Sequence, residues 1–373
     1  MQIPRVAKFK IKKSGIDYVL VFLVLLLVVF GIIMVHSASK AGAEITYNDA
    51  FFFTKKQIVG AIIGFVGMVI FYFINHQKLN KFKWPIIIVS IILLALVFVP
   101  KIGVENYGAK RWLNLGITTI QPSEIAKFAF IIFAASSLAK NYNKVKTFKG
   151  ILPVAILGAI ICALIIVEPN MSITMCVGLT VIIMLVLGGV SAKHFLMFFI
   201  PALALVPLLI IVEPYRMQRF MAFLDPWKNP QGEGFQLVQS LYSLGSGGLF
   251  GRGLGASRQK YLFLPFAESD FIFSIIGEEL GFVGCLCLII LYALIIWRIT
   301  KIALNAKDRF GCLLASGIAS ILAIQVIINI AVVSGSIPPT GLPLPFISAG
   351  STSLVVFMSA IGVVLNISKQ SKI

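Results

Sequence analysis

The sequence predicts an all-α polytopic membrane protein with about ten transmembrane helices, and its composition is the first reason. Of the 373 residues, 59% are hydrophobic and only 12% are charged. Soluble domains carry ~25% charged residues, about twice that share. The apolar residues come in stretches close to the ~20 residues with which an α-helix crosses ~30 Å of hydrocarbon. Composition therefore excludes a water-soluble domain.

Ten apolar spans follow one another along the chain. The first resembles a signal peptide, because a basic stretch precedes it and the small residues Ser37, Ala38 and Ser39 follow it. Its ~18 apolar residues exceed the usual signal core, and further spans follow, so we interpret it as a retained helix. The ten ranges are 18–35, 58–74, 85–99, 125–139, 151–167, 173–189, 195–212, 271–297, 310–333 and 353–367.

The distribution of the +18 net charge predicts the orientation and excludes nucleic acid as a partner. Nucleic-acid-binding proteins concentrate Lys and Arg on one face or arm, whereas here short basic clusters alternate with apolar spans, as at anionic lipid headgroups. Basic flanks face the cytoplasm. We therefore expect a single membrane domain over 1–373, with cytoplasmic tails at 1–16 and 368–373 and a long extracellular loop at 213–270, between spans seven and eight. The cytoplasmic flanks contain Arg5, Lys8, Lys10, Lys12, Lys13, Lys78, Lys81, Lys83, Lys140, Lys144, Lys146, Lys149, Lys193, Arg298, Lys301, Lys307, Arg309, Lys369 and Lys372.

Two predicted outer loops carry positive charge against this rule. Since Lys and Arg on the outer side oppose the preferred topology, an anionic ligand at the outer face is the simplest explanation for them. The loop at 100–124 contains Lys101, Lys110 and Arg111, and the loop at 213–270 contains Arg216, Arg219, Lys228, Arg252, Arg258 and Lys260.

Asp270 is the main candidate for chemistry among only fourteen acidic residues. It lies where the long outer loop meets the eighth span, and a carboxylate at the lip of a membrane cavity has a raised pKa that suits a general base. If the helix began there, Ser274, Gly277 and Gly281 would share its face and line a groove. A helix N-cap explains an Asp at this position equally well.

Other acidic residues have two readings each. Glu278 and Glu279 lie within a span, where ionisable groups usually face a cavity or a partner. Glu124 and Lys127 are three residues apart and can pair on one helical face, as a structural ion pair or as part of a site. The EPN motif at 168–170 interrupts the apolar run between spans five and six, where a tight outer turn is also possible.

Two irregular segments are expected beside the site. The glycine-rich stretch at 245–255 matches no Walker motif, so a re-entrant hairpin is favoured, although its backbone amides could contact a pyrophosphate. The stretch at 337–348 has too many prolines to continue a helix. Irregular backbone at membrane depth occurs only where it lines a cavity or is buried in protein, so this stretch is expected to form a wall of the site.

Taken together, these segments resemble the SEDS family (shape, elongation, division and sporulation), which comprises the FtsW, RodA and SpoVE proteins. The resemblance covers almost the whole chain. Within the family, DPW at 225–227 and GLGASRQK at 253–260 are similar to the division branch and its sporulation relatives more than to the elongation branch. The strings that carry the resemblance are GAKRW (108–112), QPSE (121–124), the segment 236–255, SDFIF (269–273), GEELG (277–281) and TGLPLPFIS (340–348).

The chain departs from the family pattern at two places. After Leu264 and Pro265 the family usually has Glu, two residues and Thr-Asp, whereas this chain has Phe266, a displaced Glu268 and Ser269. Near the end, SAGSTS at 348–353 replaces the usual Ser-Tyr-Gly-Gly-Ser-Ser. Because Asp270 is retained, the departures leave catalysis intact and put in doubt only a role for the missing Glu.

The resemblance implies a peptidoglycan glycosyltransferase of the bacterial plasma membrane that polymerises lipid II at the outer face, for a division septum or spore cortex. It implies a class B penicillin-binding protein transpeptidase as partner. Asp270 would be the general base, and Lys110, Arg111, Arg216 and Arg219 would hold the pyrophosphate. A divalent cation (Mg²⁺ or Mn²⁺) fits this chemistry, although no ligand cluster in the sequence demands one. The predicted substrate-binding residues are Lys110, Arg111, Glu124, Lys127, Arg216, Arg219, Gln236, Gln239, Lys260 and Ser348.

Two other functions are compatible with part of this pattern. A lipid II flippase would place ionisable residues near mid-membrane between repeated halves. No internal repeat is evident, and the polar residues concentrate at the outer lip, which favours an enzyme. The third possibility is a scaffold whose partner performs the chemistry, and the intact motif around Asp270 argues against it.

The predicted orientation can be tested by thiol labelling in a variant that lacks the five native cysteines. On intact cells, a membrane-impermeant reagent should label Gly232→Cys in the 213–270 loop but not Lys146→Cys. The reverse pattern would show that the orientation is inverted.

Overall fold

The structure, a computed structural model, describes residues 15–100, 102–106, 109–114 and 119–370. Most of the predicted tails lies outside the described residues, including Arg5, Lys8, Lys10, Lys12, Lys13 and Lys372. Lys101 and Gly108 of the 100–124 loop also lie outside them. The α-helices of the described part are α1 Tyr18–Tyr47, α2 Phe52–Phe73, α3 His76–Lys81, α4 Lys83–Leu96, α5 Pro122–Lys140, α6 Phe148–Val167, α7 Met171–Gly188, α8 Ala192–Val212, α9 Pro214–Leu224, α10 Phe235–Gly247, α11 Ile272–Leu304, α12 Arg309–Val333 and α13 Ser351–Ser368.

The helices confirm the polytopic prediction. Within the described residues, nine helices are long and apolar enough to cross a membrane, and each coincides with one predicted span. The remaining predicted span, 85–99, corresponds to α4, which has only 14 residues. The orientation of the termini and of the 213–270 loop stays a prediction.

The first helix is longer than its predicted span of 18–35. It continues to Tyr47 because Ser37, Ala38 and Ser39 are buried against the protein. Small residues allow close contact between membrane helices. The small residues that suggested a signal-peptide cleavage site are therefore part of a helix–helix contact.

A small sheet in the 100–124 loop departs from the all-helical prediction. Its strands β1 Gly103–Asn106, β2 Ala109–Asn114 and β3 Thr119–Ile120 form an antiparallel sheet in that order. Leu113 of β2 is buried beneath the sheet. The sheet fixes the direction in which β2 presents Arg111.

The centre of the bundle is formed by α5, α12 and α13, which are mostly buried. By contrast, none of the α8 residues whose burial the structure describes is buried. The contact between α2 and α13 is very close. A Cβ at Gly362 of α13 would lie 2.3 Å from the carbonyl oxygen of Met68 in α2. A side chain at this position would push the two backbones apart, so glycine is required there.

A kink at Gly281 divides α11 into two helices. Gly281 has φ +68°, which disfavours any residue with a Cβ. The glycine-rich segment that follows α10 fills the kink: the amides of Arg252 and Gly253 donate to the carbonyls of Glu278 and Glu279, both at 2.9 Å. The segment therefore packs on α11, and these two amides are not free to cradle a phosphate.

The side chains of Glu278 and Glu279 face partners, not a cavity. Glu279 accepts a hydrogen bond from Ser37 at 2.7 Å and forms an ion pair with Lys260 at 3.0 Å. Glu278 accepts a hydrogen bond from the amide of Arg258 at 3.0 Å. Lys260, which the sequence predicts to bind substrate, is instead buried. It forms an ion pair with Glu279 because a buried carboxylate requires a compensating charge.

Candidate active site

Asp270 lies in the loop before α11 and is half-buried. Its carboxylate accepts a hydrogen bond from the Ser269 hydroxyl at 3.0 Å. The N-cap residue of α11 is Phe271, and no side chain caps this helix. The N-cap alternative is therefore wrong, and the carboxylate is not committed to the helix.

The groove predicted beneath Asp270 is filled by α10. The Ser274 hydroxyl lies 2.7 Å from the Ser240 hydroxyl of α10. A Cβ at Gly277 would lie 2.5 Å from a side-chain atom of Leu244, and Gly281 forms the kink. Asp270 precedes the helix, so it does not share a helical face with Ser274, Gly277 and Gly281. That face of α11 packs against α10 and does not line a groove.

The side chain of Asn329 joins the backbone of Asp270 to the proline-rich segment at 337–348. Asn329 of α12 donates to the carbonyl oxygens of Asp270, at 2.9 Å, and Leu342, at 2.6 Å. Gly341, with φ +68°, allows close approach, since a Cβ there would lie 2.9 Å from an Asp270 carboxylate oxygen. The proline-rich segment is therefore a wall of the site, as the sequence predicts.

Ser348 strengthens the same wall. Its hydroxyl donates to the carbonyl oxygen of Ser269 at 2.6 Å and accepts from the amide of Leu344 at 2.7 Å. The side chain is buried. The structure thus gives Ser348 internal partners instead of the predicted exposure to substrate.

Two arginines from separate segments, β2 and α9, lie close enough to Asp270 for their charges to affect its carboxyl group. Burial raises the pKa of the Asp270 carboxyl, while the Ser269 hydrogen bond and the charges of Arg219 and Arg111 lower it. Arg219 of α9 lies over the Tyr215 ring at 4.7 Å and donates to the carbonyl oxygen of Pro339 at 3.4 Å. In such an arrangement the carboxylate can accept a proton as a general base, and the two cations can stabilise an anionic leaving group.

Arg111 is held by the turn between α6 and α7. Its Nε donates to the carbonyl oxygen of Glu168 at 3.4 Å, and its Nη2 donates to that of Pro169. The turn ends at Asn170, whose side chain caps α7 by accepting from the amide of Ile173 at 3.3 Å. The EPN motif is therefore a tight turn, and this turn positions Arg111.

A cavity of about 310 Å³ adjoins this cluster. Small-molecule sites begin at about 300 Å³. Phe266, at the position where the family usually has Glu, reaches the cavity from a left-handed backbone conformation with φ +56°. The cavity is lined by Tyr215, Gln218, Arg219, Gly232, Glu233, Phe235, Gln236, Pro265, Phe266 and Pro339.

The remaining predicted residues differ in position. Gln236 lines the cavity, and Gln239 is half-buried one turn further along α10. Lys110 is exposed on β2. Arg216 lies on α9, the helix that carries Arg219.

Glu124 and Lys127 are wholly inside the bundle. Lys127 donates to Glu124 and to Gln325 of α12, both at 2.8 Å. Gln325 in turn donates to the carbonyl oxygen of Pro343 at 2.9 Å. The pair therefore supports the proline-rich wall, which agrees with the structural alternative.

Gln325 and Asn329 are the site-forming residues that the sequence analysis missed. Their signal is present, because two amides four residues apart interrupt an apolar span and share one helical face. Polar residues inside membrane helices are expected to face partners.

Within the described part of the chain, no group of three or more His, Cys, Asp or Glu residues could hold a metal ion. The divalent cation stays a prediction, and no step below depends on it.

Comparisons with known proteins agree on one family. The model of the cell cycle protein family FtsW/RodA/SpoVE matches residues 17–373. Stage V sporulation protein E of Bacillus subtilis is 40% identical over 97% of this chain and 99% of its own length. A probable peptidoglycan glycosyltransferase FtsW of Geobacter sp. (strain M18) is 38% identical over 96% of this chain and 98% of its own.

Solved structures show the same similarity. A chain in a peptidoglycan synthase complex, described as coordinating polymerization and crosslinking, has a TM-score of 0.77 and 29% identity over 95% of this chain and 97% of that chain. The rod shape determining protein RodA of Thermus thermophilus has a TM-score of 0.71 and 28% identity, with the same coverage of both chains.

Loss of the Lys127 charge should destabilise the protein. Lys127→Met leaves the Glu124 carboxylate buried and unpaired, a change that typically costs ~3–5 kcal/mol. Thermal unfolding of the detergent-solubilised protein should show a lower midpoint. The double variant Glu124→Leu with Lys127→Met should recover most of the loss. If the single variant were as stable as wild type but no longer bound substrate, the pair would belong to the substrate site.

Proposed function

The chain belongs to the FtsW/RodA/SpoVE family of cell cycle proteins, and from this membership we propose that it polymerises lipid II at the outer face of the plasma membrane. It is a multi-pass bacterial membrane protein and a peptidoglycan glycosyltransferase. The observation that carries the proposed mechanism is that the Asp270 carboxylate, which does not cap α11, lies near enough to Arg219 and Arg111 for their charges to lower its pKa.

The reaction transfers a glycan from a lipid pyrophosphate to a sugar hydroxyl. Asp270 accepts the proton of the acceptor hydroxyl as its oxygen bonds to the anomeric carbon of the donor. The bond from that carbon to the pyrophosphate oxygen breaks, and the lipid pyrophosphate leaves with an additional negative charge. A positioned general base typically contributes ~10²–10⁴-fold to the rate.

Arg111 and Arg219 stabilise the charge that develops on the leaving group. Fixed cations aimed at developing charge are usually the largest single contribution to catalysis. Both guanidinium groups are oriented by peptide carbonyls, at the turn after α6 and at Pro339. Neither arginine has to reorganise when the leaving group forms, so the stabilisation is available throughout the reaction.

Burial makes Asp270 a stronger base than an exposed aspartate. Its pKa is raised by burial and partly lowered by the two arginines. A base is most effective when its pKa approaches the working pH while it remains ionised. Activity should therefore rise with pH through the pKa of Asp270, because only the ionised carboxylate accepts a proton.

The cavity beside Arg219 is proposed to receive the polar head of the substrate. Gln236 and Gln218 supply amide groups, and Phe266 and Tyr215 supply aromatic faces. The lipid tails would lie between helices and enter sideways from the membrane. A class B penicillin-binding protein transpeptidase is the proposed partner, supported by the similar chain in the peptidoglycan synthase complex. The sporulation and FtsW relatives support a role in septum or spore cortex synthesis.

Asp270→Asn is expected to abolish most polymerisation while the protein still folds. The amide keeps the size of the side chain but cannot accept the proton, so the rate should fall by ~10²-fold or more. Glycan product from lipid II, measured with purified protein of unchanged thermal stability, gives the result.

Glu268→Gln is the control for this variant. Glu268 is half-buried, burial raises its pKa, and it lies two residues from Asp270. The Glu268→Gln variant should retain most of the polymerisation activity. A fully active Asp270→Asn beside an inactive Glu268→Gln would assign the base to Glu268.

Arg111→Ala should lower kcat by ~10²–10³-fold, the range observed when one donor to a developing anion is lost. Arg111→Lys should restore only part of the activity, because lysine lacks the planar fork of donors. The control is Lys56→Ala, since Lys56 is exposed on α2 and its ammonium group lies over the ring of Phe52. Equal losses for Arg111→Ala and Lys56→Ala would contradict a specific role for Arg111.

A further inference from the structure

Glu168 is a buried acid that the mechanism above does not use. It follows the last residue of α6, and its side chain is 0% exposed. Neither carboxyl oxygen has a hydrogen-bond partner among the described residues. An ionised carboxylate in such a place is strongly destabilising unless it is paired, so Glu168 needs an explanation.

The guanidinium of Arg111 lies beside Glu168 but does not pair with its carboxyl group. It donates to the peptide carbonyls of Glu168 and Pro169 instead. A neutral carbonyl orients the guanidinium without cancelling its charge. A carboxylate would pair with the guanidinium through two hydrogen bonds and would cancel that charge. The full positive charge of Arg111 therefore remains available on the side of Asp270.

The protonation state of Glu168 explains this choice of partners. Burial raises the pKa of the Glu168 carboxyl to about 8, although the charge of Arg111 lowers it. At neutral pH the group is therefore mainly the uncharged acid. An uncharged acid competes for the guanidinium far less than a carboxylate would.

We propose that Glu168 is a positioning residue for Arg111: a neutral carboxylic acid that fills the space under the turn while leaving the arginine charge free for a substrate phosphate. This inference rests on the proposed role of Arg111. Glu168 itself has no exposed atom, so it acts through Arg111 and not by touching substrate.

The position of Glu168 predicts an alkaline loss of activity. Once ionised, the carboxylate draws the guanidinium of Arg111 away from the substrate. The charged and titratable groups around that guanidinium are Tyr215 and Arg219 of α9, Asp270 before α11, and Glu168 itself. A bound pyrophosphate adds negative charge and raises the pKa of Glu168, because like charges disfavour ionisation. The loss should therefore affect kcat/KM at lower pH than it affects kcat.

The test is the pH dependence of lipid II polymerisation by the purified full chain in detergent, between about pH 6 and 9.5. Wild-type kcat/KM should decline above pH ~8, approaching tenfold per pH unit, as for one ionisation. Glu168→Gln mimics the neutral acid, so it should match wild type within about twofold at pH 7 and lack that decline. The matched control is Glu213→Gln, an exposed glutamate that likewise follows the last residue of a membrane helix, and it should keep the wild-type profile.

Three results would overturn the proposal. They are a wild-type profile without an alkaline decline, a Glu168→Gln variant with the wild-type decline, and a Glu168→Gln variant that is inactive at pH 7 with unchanged thermal stability. The first needs no variant and applies even if Glu168→Gln does not fold. Failure of the proposed function is distinct, since it would appear as full activity of Asp270→Asn and Arg111→Ala.

Discussion

The site depends on two amide side chains of α12 that satisfy irregular backbone inside the bundle. Backbone groups in a membrane protein must find hydrogen bonds within the protein, because lipid offers none. Asn329 joins the Asp270 loop to the proline-rich segment, and Gln325 joins that segment to Lys127 and Glu124. Without these hydrogen bonds the Asp270 loop and the proline-rich segment would not be held side by side. The Asp270 carboxylate would then have no fixed position relative to the arginines.

Most of the buried charged side chains that the structure describes stabilise the fold, whereas a few take part in the proposed chemistry. Glu278, Glu279 and Lys260 hold the glycine-rich segment and the residues after it against the kink of α11. A carrier would need ionisable groups that face a substrate near mid-membrane. Here those acids have internal partners, whereas the Asp270 carboxylate accepts a hydrogen bond from Ser269 and lies near the charges of Arg219 and Arg111. This division favours an enzyme over a flippase.

Hydropathy predicted the membrane helices well, because crossing hydrocarbon demands long apolar segments whatever the tertiary structure. The sequence could not show which polar residues are structural, since burial depends on contacts between distant segments. Ser348 and Lys260 matched family motifs but pack internally, and the Asp270 N-cap alternative required backbone geometry to resolve. The β-sheet that contains Arg111 was also missed, because its strands are too short to have a clear hydrophobic period.

The central claim is that this chain itself forms the glycosidic bond. The most direct measurement supplies lipid II to the purified chain in detergent micelles, with no vesicles and no other polymerase, and resolves the glycan strands by length. The account predicts polymer, because every group assigned to the chemistry belongs to this chain. Strands that form only after a separate polymerase is added, while the chain moves lipid II across vesicle membranes, would contradict it.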